Sequence, residues 1–130
     1  MYVYAVQARG YVKIGKANNP EARLTELQVG NPVKLVMRLR IPCKSEAAAE
    51  HLESTLQRMF GRFRVRGEWF EYSPIARLID ALPTCASTHE MCQMIRAHFR
   101  VQRAKRQERH ARATTESHAE LDREFRDIIG

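Results

Sequence analysis

The pattern of hydrophobic and polar residues predicts strands in the first half of the chain. The runs at residues 2–6 and 11–14 are rich in tyrosine, valine and isoleucine, which favour strands because such side chains pack well on a pleated surface. A short segment ending in Gly10 separates them and predicts a β-hairpin. Residues 33–41 alternate apolar and polar side chains, which predicts a third strand with one buried face. Residues 62–66 alternate again, with arginines on one face.

Helix signals lie between and after these strands. Asn19-Pro20 combines a favoured N-cap residue with proline at the first helical position and predicts a helix through Gln28. Ser45 is the expected cap of a second helix that ends at about Phe60. An apolar stripe at helical spacing marks the buried side of this second helix.

The remaining segments complete the predicted fold. A short helix is expected from Ser73, and the spacing of Ser87 and Glu90 matches a capping box at the start of a long helix. The order of elements predicts an α+β fold: a small, mostly antiparallel sheet of three or slightly more strands, flanked by helices. We predict one domain over residues 1–83 and a helical C-terminal extension over residues 84–130.

Charge narrows the expected partners. The 130 residues carry a net charge of +7, which is typical of proteins that bind polyanions. Residues 96–112 hold seven basic side chains against one acidic one, whereas residues 113–130 are net acidic. The longest apolar runs are a few residues, so no membrane span is expected. Without a signal-peptide pattern, and with an odd number of cysteines, the cytosol is the expected compartment.

Five side chains supply the groups that phosphodiester cleavage requires: Tyr4, Lys13, Lys16, Arg23 and Glu53. The reaction needs a base for water, cations for the developing charge and usually a divalent metal held by a carboxylate. Glu53 lies at the edge of the apolar stripe on the second predicted helix, so we expect its carboxylate to be half sheltered. A tyrosine has a pKa of about 10, so neighbouring cations would have to lower it for the residue to act as a base.

Other basic residues form candidate nucleic-acid contacts. They are Arg38, Arg40, Arg62, Arg64 and Arg66 on predicted strands, and Arg100, Arg103 and Arg106 on the C-terminal helix. Such side chains can bind backbone phosphates, and the helical set predicts a helix that tracks DNA. In the alternative interpretation this helix packs on the core, and the acidic end neutralises it within one chain or across a homodimer.

Several linked motifs resemble the GIY-YIG nuclease superfamily, and in particular a phage-type subgroup. They are Tyr2-Val3-Tyr4, Val12-Lys13-Ile14-Gly15-Lys16-Ala17, Pro20-Glu21-Ala22-Arg23-Leu24, Leu27-Gln28-Val29-Gly30-Asn31-Pro32 and Gly67-Glu68-Trp69-Phe70. The resemblance covers residues 1–73 and depends on the order of the motifs.

That resemblance implies a metal-dependent DNA endonuclease, in a phage or mobile-element context. By similarity, Tyr4 is the base or water-orienting group, Lys16 and Arg23 lie near the scissile phosphate, and Lys13 contributes charge. Glu53 would bind one Mg²⁺ or Mn²⁺ ion, with Glu50 as the second choice. The alternative is a DNA-binding module that keeps the fold without turnover.

Overall fold

The structure is a computed structural model that describes the backbone of residues 1–129 and the side chains of residues 1–112. It divides into two compact units, Met1–Ile95 and Arg96–Gly130. The strands are β1 (Tyr2–Ala8), β2 (Tyr11–Ala17), β3 (Val36–Pro42), β4 (Arg64–Arg66) and β5 (Trp69–Glu71). The helices are α1 (Pro20–Gln28), α2 (Glu46–Met59), α3 (Ala76–Ala81) and α4 (Thr88–Ile129). No helix in this part of the chain is both long and apolar enough to cross a membrane.

A five-stranded antiparallel sheet with flanking helices confirms the α+β prediction. The strand order is β3-β1-β2-β5-β4. The predicted hairpin is β1 and β2, joined through Arg9, whose φ of 55° suits a tight turn. In its register Tyr4 lies opposite Gly15, and Val6 lies opposite Lys13. The predicted boundary at residue 83 stays a prediction.

The third strand begins later than its alternating pattern indicates. The pattern starts at Val33, whereas β3 starts at Val36. The backbone N–H of Val33 donates to the side chain of Asn31, and that of Leu35 donates to the side chain of Gln28, at 3.0 and 2.8 Å. These side-chain acceptors replace a neighbouring strand, so the segment before β3 is irregular.

The predicted arginine strand over residues 62–66 is partly wrong. Arg62 lies in a 3₁₀ turn, Gly61–Phe63, because the chain leaving α2 tightens there before it extends. Only Arg64–Arg66 form β4, and an irregularity interrupts its pairing with β5 between Arg64 and Arg66. The three arginines therefore do not share one regular strand face. Strand β5 was not predicted as a strand.

Side-chain caps define the helix starts, as the sequence predicts. Asn19 accepts from the N–H of Ala22 and Ser45 accepts from that of Ala48, each at 3.1 Å. At the start of α4, the N–H of Glu90 donates to the Ser87 hydroxyl at 3.2 Å. Each cap satisfies a backbone donor that the first helical turn leaves without an internal partner.

The two faces of the sheet pack against different helices. On one face, Tyr4 and Val6 form a buried cluster with Leu35, against which Leu24 and Leu27 of α1 pack. On the other face α2 contacts β1 and β2, and its Ala49, Leu52 and Leu56 are buried. Successive side chains of β2 thus point alternately toward the α1 side and the α2 side of the sheet.

Candidate functional site

The absence of a side chain at Gly15 lets the Tyr4 ring extend from β1 across β2. A Cβ atom at Gly15 would lie 2.7 Å from the Tyr4 hydroxyl oxygen and 2.8 Å from its Cζ atom. Tyr4 itself is only 2% exposed. Ordinary van der Waals contact requires more space, so glycine is needed for this close approach. The geometry carries the hydroxyl of a buried tyrosine toward the outer edge of β2.

Helix α1 brings a guanidinium to that hydroxyl. The Arg23 guanidinium lies close enough to the Tyr4 hydroxyl to favour its ionised form through hydrogen bonding and charge, and Arg23 Nη1 donates to Glu26 Oε2 at 2.9 Å. The Asn19 cap fixes the start of α1 and hence the position of Arg23 in its first turn. The positive charge of Arg23 therefore lies between the Tyr4 phenol and the Glu26 carboxylate.

The environment of Tyr4 opposes its ionisation. Burial raises the pKa of the Tyr4 hydroxyl above its usual value, and this outweighs the lowering by the Arg23 hydrogen bond and charge; Glu68 and Glu53 raise it further. The condition for base catalysis, a Tyr4 pKa brought below its usual value by neighbouring cations, is therefore not met, although Arg23 acts in that direction. Tyr4 is a neutral phenol at neutral pH, able to donate or accept a hydrogen bond.

Helix α2 brings Glu53 to the same edge. Gln57, one turn further along, donates from Nε2 to the carbonyl oxygen of Ile14 at 3.0 Å and to Glu53 Oε1 at 3.3 Å. Burial raises the pKa of the Glu53 carboxyl, Glu68 raises it further, and the charge of Lys16 opposes the change. Glu53 is half-buried, as its position beside the apolar stripe predicts.

Tyr4 and Glu53 approach the same sheet edge because β2 runs past the end of β5. The pairing of β2 with β5 covers only Tyr11 to Lys13, and the N–H of Ile14 adds a bond to the carbonyl of Glu68 at 3.1 Å. Beyond that point this side of β2 has no strand beside it in the described sheet. Tyr4 reaches the gap from the α1 face and Glu53 from the α2 face, close enough to interact electrostatically.

Both predicted lysines lie at this edge in contact with carboxylates. Lys13 Nζ is 3.4 Å from Glu68 Oε2. Lys16 Nζ is 3.8 Å from Glu46 and 3.9 Å from Glu50. We call the set of Tyr4, Lys13, Lys16, Arg23, Glu53, Gln57 and Glu68 the edge site. Electrostatic interactions link Tyr4 with Arg23 and Glu53, and Glu53 with Lys16, along this edge, while Lys13 pairs with Glu68; that the five predicted side chains form a catalytic site stays a prediction.

Sequence reasoning missed Glu68 and Gln57. Glu68 belongs to the Gly67-Glu68-Trp69-Phe70 motif but received no role, because its position depends on the turn at Gly67, where φ is 55°. Gln57 follows Glu53 by four residues, a spacing that places both on one helix face. That spacing is the sequence signal that could have identified Gln57 as a neighbour of Glu53.

Oxygen donors at the edge site suit a hard divalent cation. Within residues 1–112 no group of three histidine, cysteine, aspartate or glutamate side chains is arranged to hold a metal. Mg²⁺, however, is commonly held by one or two carboxylates together with water and substrate phosphates. Glu53, whose pKa is raised by burial and by the nearby Glu68 carboxylate, fits that minimal role. Glu50 is exposed and faces Lys16, which makes it the weaker fit.

Two of the eight predicted nucleic-acid contacts, Arg38 and Arg40, are bonded to polar side chains of the chain itself. Arg38 donates to Gln7 at 2.7 Å and lies over the Tyr72 ring, and Arg40 pairs with Glu21. The remaining predicted contacts are exposed: Arg62 over the Phe63 ring, Arg64 over the Phe70 ring, Arg66 on β4, and Arg100, Arg103 and Arg106 on α4 in the second unit. Each of these exposed arginines is therefore accessible to a phosphate group.

The described part of the chain is thus a small antiparallel α+β domain with cations, a phenol and a carboxylate along one sheet edge. The chain belongs to the T5orf172 domain family, whose model matches residues 1–87. Membership supports a nuclease or DNA-binding function. No curated protein and no solved structure matches the chain significantly.

The family match corrects the resemblance drawn from the sequence motifs. The matching family is T5orf172 and not GIY-YIG. The two half-motifs that define the latter are incomplete in this chain, because Tyr2 stands where the first requires glycine and Lys13 where the second requires tyrosine. Roles carried over from that superfamily lose their support, and the edge site depends on its own geometry.

Proposed function

We propose that the chain is a divalent-metal-dependent endonuclease that hydrolyses phosphodiester bonds in DNA at the edge site. The observation that supports the proposal is that Tyr4 interacts electrostatically with both Arg23 and Glu53, side chains of two other elements, beside the part of β2 that β5 does not cover. Family membership supports the same class of function.

Each side chain has a task that follows from its surroundings. Tyr4, a neutral phenol close to Arg23, orients a water molecule rather than removing its proton. Arg23 binds a non-bridging phosphate oxygen, because its fork of donors matches phosphate geometry. Lys13 and Lys16 stabilise negative charge that develops on the phosphate.

Glu53 is the group that would hold Mg²⁺ or Mn²⁺. A bound divalent ion supplies Lewis acidity at a phosphate oxygen and lowers the pKa of its water. Gln57 positions the Glu53 carboxylate, because one amide group bonds both that carboxylate and the backbone of β2.

The test is nicking of supercoiled plasmid by the full chain with Mg²⁺ or Mn²⁺. We expect Tyr4→Phe and Glu53→Gln to lose about 10²-fold or more in rate, as for other groups that act in the transition state. Tyr2→Phe is the matched control for Tyr4, and Glu50→Gln separates the two candidate metal ligands. Equal nicking by wild type, Tyr4→Phe and Glu53→Gln would show that a contaminant cleaves the plasmid and would refute the proposal.

A second candidate function, DNA binding without turnover, has a specific observation in its favour. Lys13 and Lys16 both contact carboxylates of their own chain, which weakens the positive potential available to a transition state. A wild-type protein that shifts plasmid DNA in a gel, and never nicks it with either metal, establishes this function instead.

Arginines of the second unit extend the proposed DNA contact. Arg100, Arg103 and Arg106 recur at helical spacing and are exposed, so their side chains can follow a phosphate backbone. Truncation after residue 83 is a poor test because it removes Met91 and Ile95, which are buried.

Charge-neutralising variants provide the cleaner test of these arginines. Replacing all three by glutamine should lower the slope of log affinity against log salt by about 2–3. The matched control neutralises Arg9, Arg58 and Arg77, exposed arginines of the first unit. An equal change in both triple variants refutes the DNA-tracking helix.

A further inference from the structure

An exposed apolar cleft lies at the other end of the hairpin from Tyr2. Ala8, Tyr11, Val65, Arg66 and Trp69 line a cavity of about 250 Å³. Tyr11 is 49% exposed and Val65 is 53% exposed. Exposed hydrophobic side chains that line one cleft offer a concave apolar surface to a ligand. We call these five residues the aromatic cleft.

The aromatic cleft lies on the same sheet face as Tyr4. Alternate residues of a strand share a face, so Tyr11 and Lys13 point to the side that carries Gly15. Trp69 pairs with Lys13, and Ala8 pairs with Tyr11. The cleft therefore begins two residues along β2 from Lys13, a distance of about 7 Å at the rise of a strand.

The residues of the cleft and its rim match nucleic acid. Two aromatic rings offer flat apolar surface, and Arg66 adds a guanidinium plane within the cleft. Lys13 lies beside Trp69 on the same face, with its ammonium group paired to Glu68. Arg64 instead lies over the ring of Phe70, whose side chain points to the other face. Aromatic platforms with a basic border are how proteins hold single-stranded nucleic acid, because bases stack on the rings while cations bind phosphates.

We infer that the aromatic cleft stacks one unpaired nucleobase of a nucleic-acid strand that passes the edge site. The inference depends on the proposed function in taking nucleic acid as the ligand. It adds that the strand has at least one base out of its duplex stack near the edge site. Single-stranded DNA, or duplex ends and mismatches, then bind better than fully paired duplex.

The experiment uses the single tryptophan of the chain. Trp69 fluorescence is followed while the full chain, without divalent metal, is titrated with a twelve-nucleotide thymidine strand. The comparison is an abasic strand of the same length and charge. We expect both strands to bind at low salt and only the base-bearing strand to quench Trp69.

Variants of Tyr11 test the platform itself. Loss of one base–aromatic stack corresponds to a fall of about 5- to 150-fold in affinity for the thymidine strand, so Tyr11→Leu should show this loss and bind the abasic strand as wild type does. Tyr11→Phe keeps a ring and should restore the affinity. Tyr2→Leu makes the same change on β1, outside the cleft, and should have no effect. Circular dichroism identifies any variant that fails to fold.

Three results would overturn the inference. Equal affinity for both strands without quenching means that phosphate contacts alone bind nucleic acid. Equal losses in Tyr11→Leu and Tyr11→Phe mean that stacking is not the cause. A change in Trp69 emission with protein concentration alone means that a second copy of the chain occupies the cleft.

The titration also separates this inference from the proposed nuclease activity. No metal is present, so cleavage does not enter the measurement. If Trp69 is quenched but plasmid is never nicked, base stacking in the cleft is supported and the proposed nuclease activity is refuted. If plasmid is nicked but Trp69 is not quenched, the nuclease activity is supported and base stacking in the cleft is refuted.

Discussion

Gly15→Ala tests the closest contact of the edge site. The added methyl group would lie 2.8 Å from Tyr4 Cζ and 2.7 Å from its hydroxyl, where ordinary contact begins at 3.4 Å. The ring must therefore move by more than about half an ångström, and Tyr4, at 2% exposure, has little room. Overpacking of this kind costs about 1–3 kcal/mol of unfolding free energy. A displacement of about 1 Å in a catalytic group costs about 10²-fold in rate.

Two assays measure the effect of Gly15→Ala: urea denaturation for stability, and plasmid nicking for rate. Gly10→Ala is the control, because a methyl group there meets nothing within 4 Å. In the Tyr4→Phe background, Gly15→Ala should cost less than about threefold further in rate, since the hydroxyl that it displaces is already absent. Wild-type nicking by Gly15→Ala, with stability within about 0.5 kcal/mol of Gly10→Ala, would refute the reasoning.

Three further predictions concern the supports of the site. Asn19→Ala should lower the unfolding free energy by about 1 kcal/mol by removing the α1 cap, whereas Asn18→Ala should not; equal losses in urea denaturation contradict this. Gln57→Leu should cost about 1–3 kcal/mol, because the Ile14 carbonyl loses its side-chain donor; a loss below about 0.5 kcal/mol in the same assay contradicts it. Burial is the main cause that raises the pKa of the Glu53 carboxyl, so its protonated form favours the folded state. Wild type should therefore lose thermal stability relative to Glu53→Gln as pH rises through that pKa, and the difference in stability between the two proteins should disappear in acid. A difference that does not change with pH contradicts it.

The elements that depend on local signals could be predicted from the sequence. Caps at Asn19 and Ser45 act through hydrogen bonds within three residues, and the short Arg9-Gly10 turn joins two strand-forming runs that are adjacent in sequence. The β4–β5 pair was not predicted, since its strands are three residues long and its register is irregular. Strands this short depend on partners that only the tertiary structure provides.

The sequence allowed us to choose candidate residues for the site, but not to predict how their pKa values shift. The identities of Tyr4, Arg23 and Glu53 follow from residue types and order. The direction of the Tyr4 pKa shift could not be read from the sequence, because it depends on how deeply the ring is buried beneath its neighbours. Glu68 could not be assigned either, because the turn between β4 and β5, distant from Lys13 in sequence, places it beside that lysine.

The pairing of both site lysines with the protein's own carboxylates has a consequence for ligand size. A phosphate that binds Lys13 or Lys16 must exchange with Glu68, or with Glu46 and Glu50, and each exchange at a solvent-accessible pair yields little net free energy. Affinity must then accumulate over many simultaneous contacts, as in multivalent binding. Inorganic phosphate should compete poorly, and short reaction products should dissociate quickly while long polymers are retained.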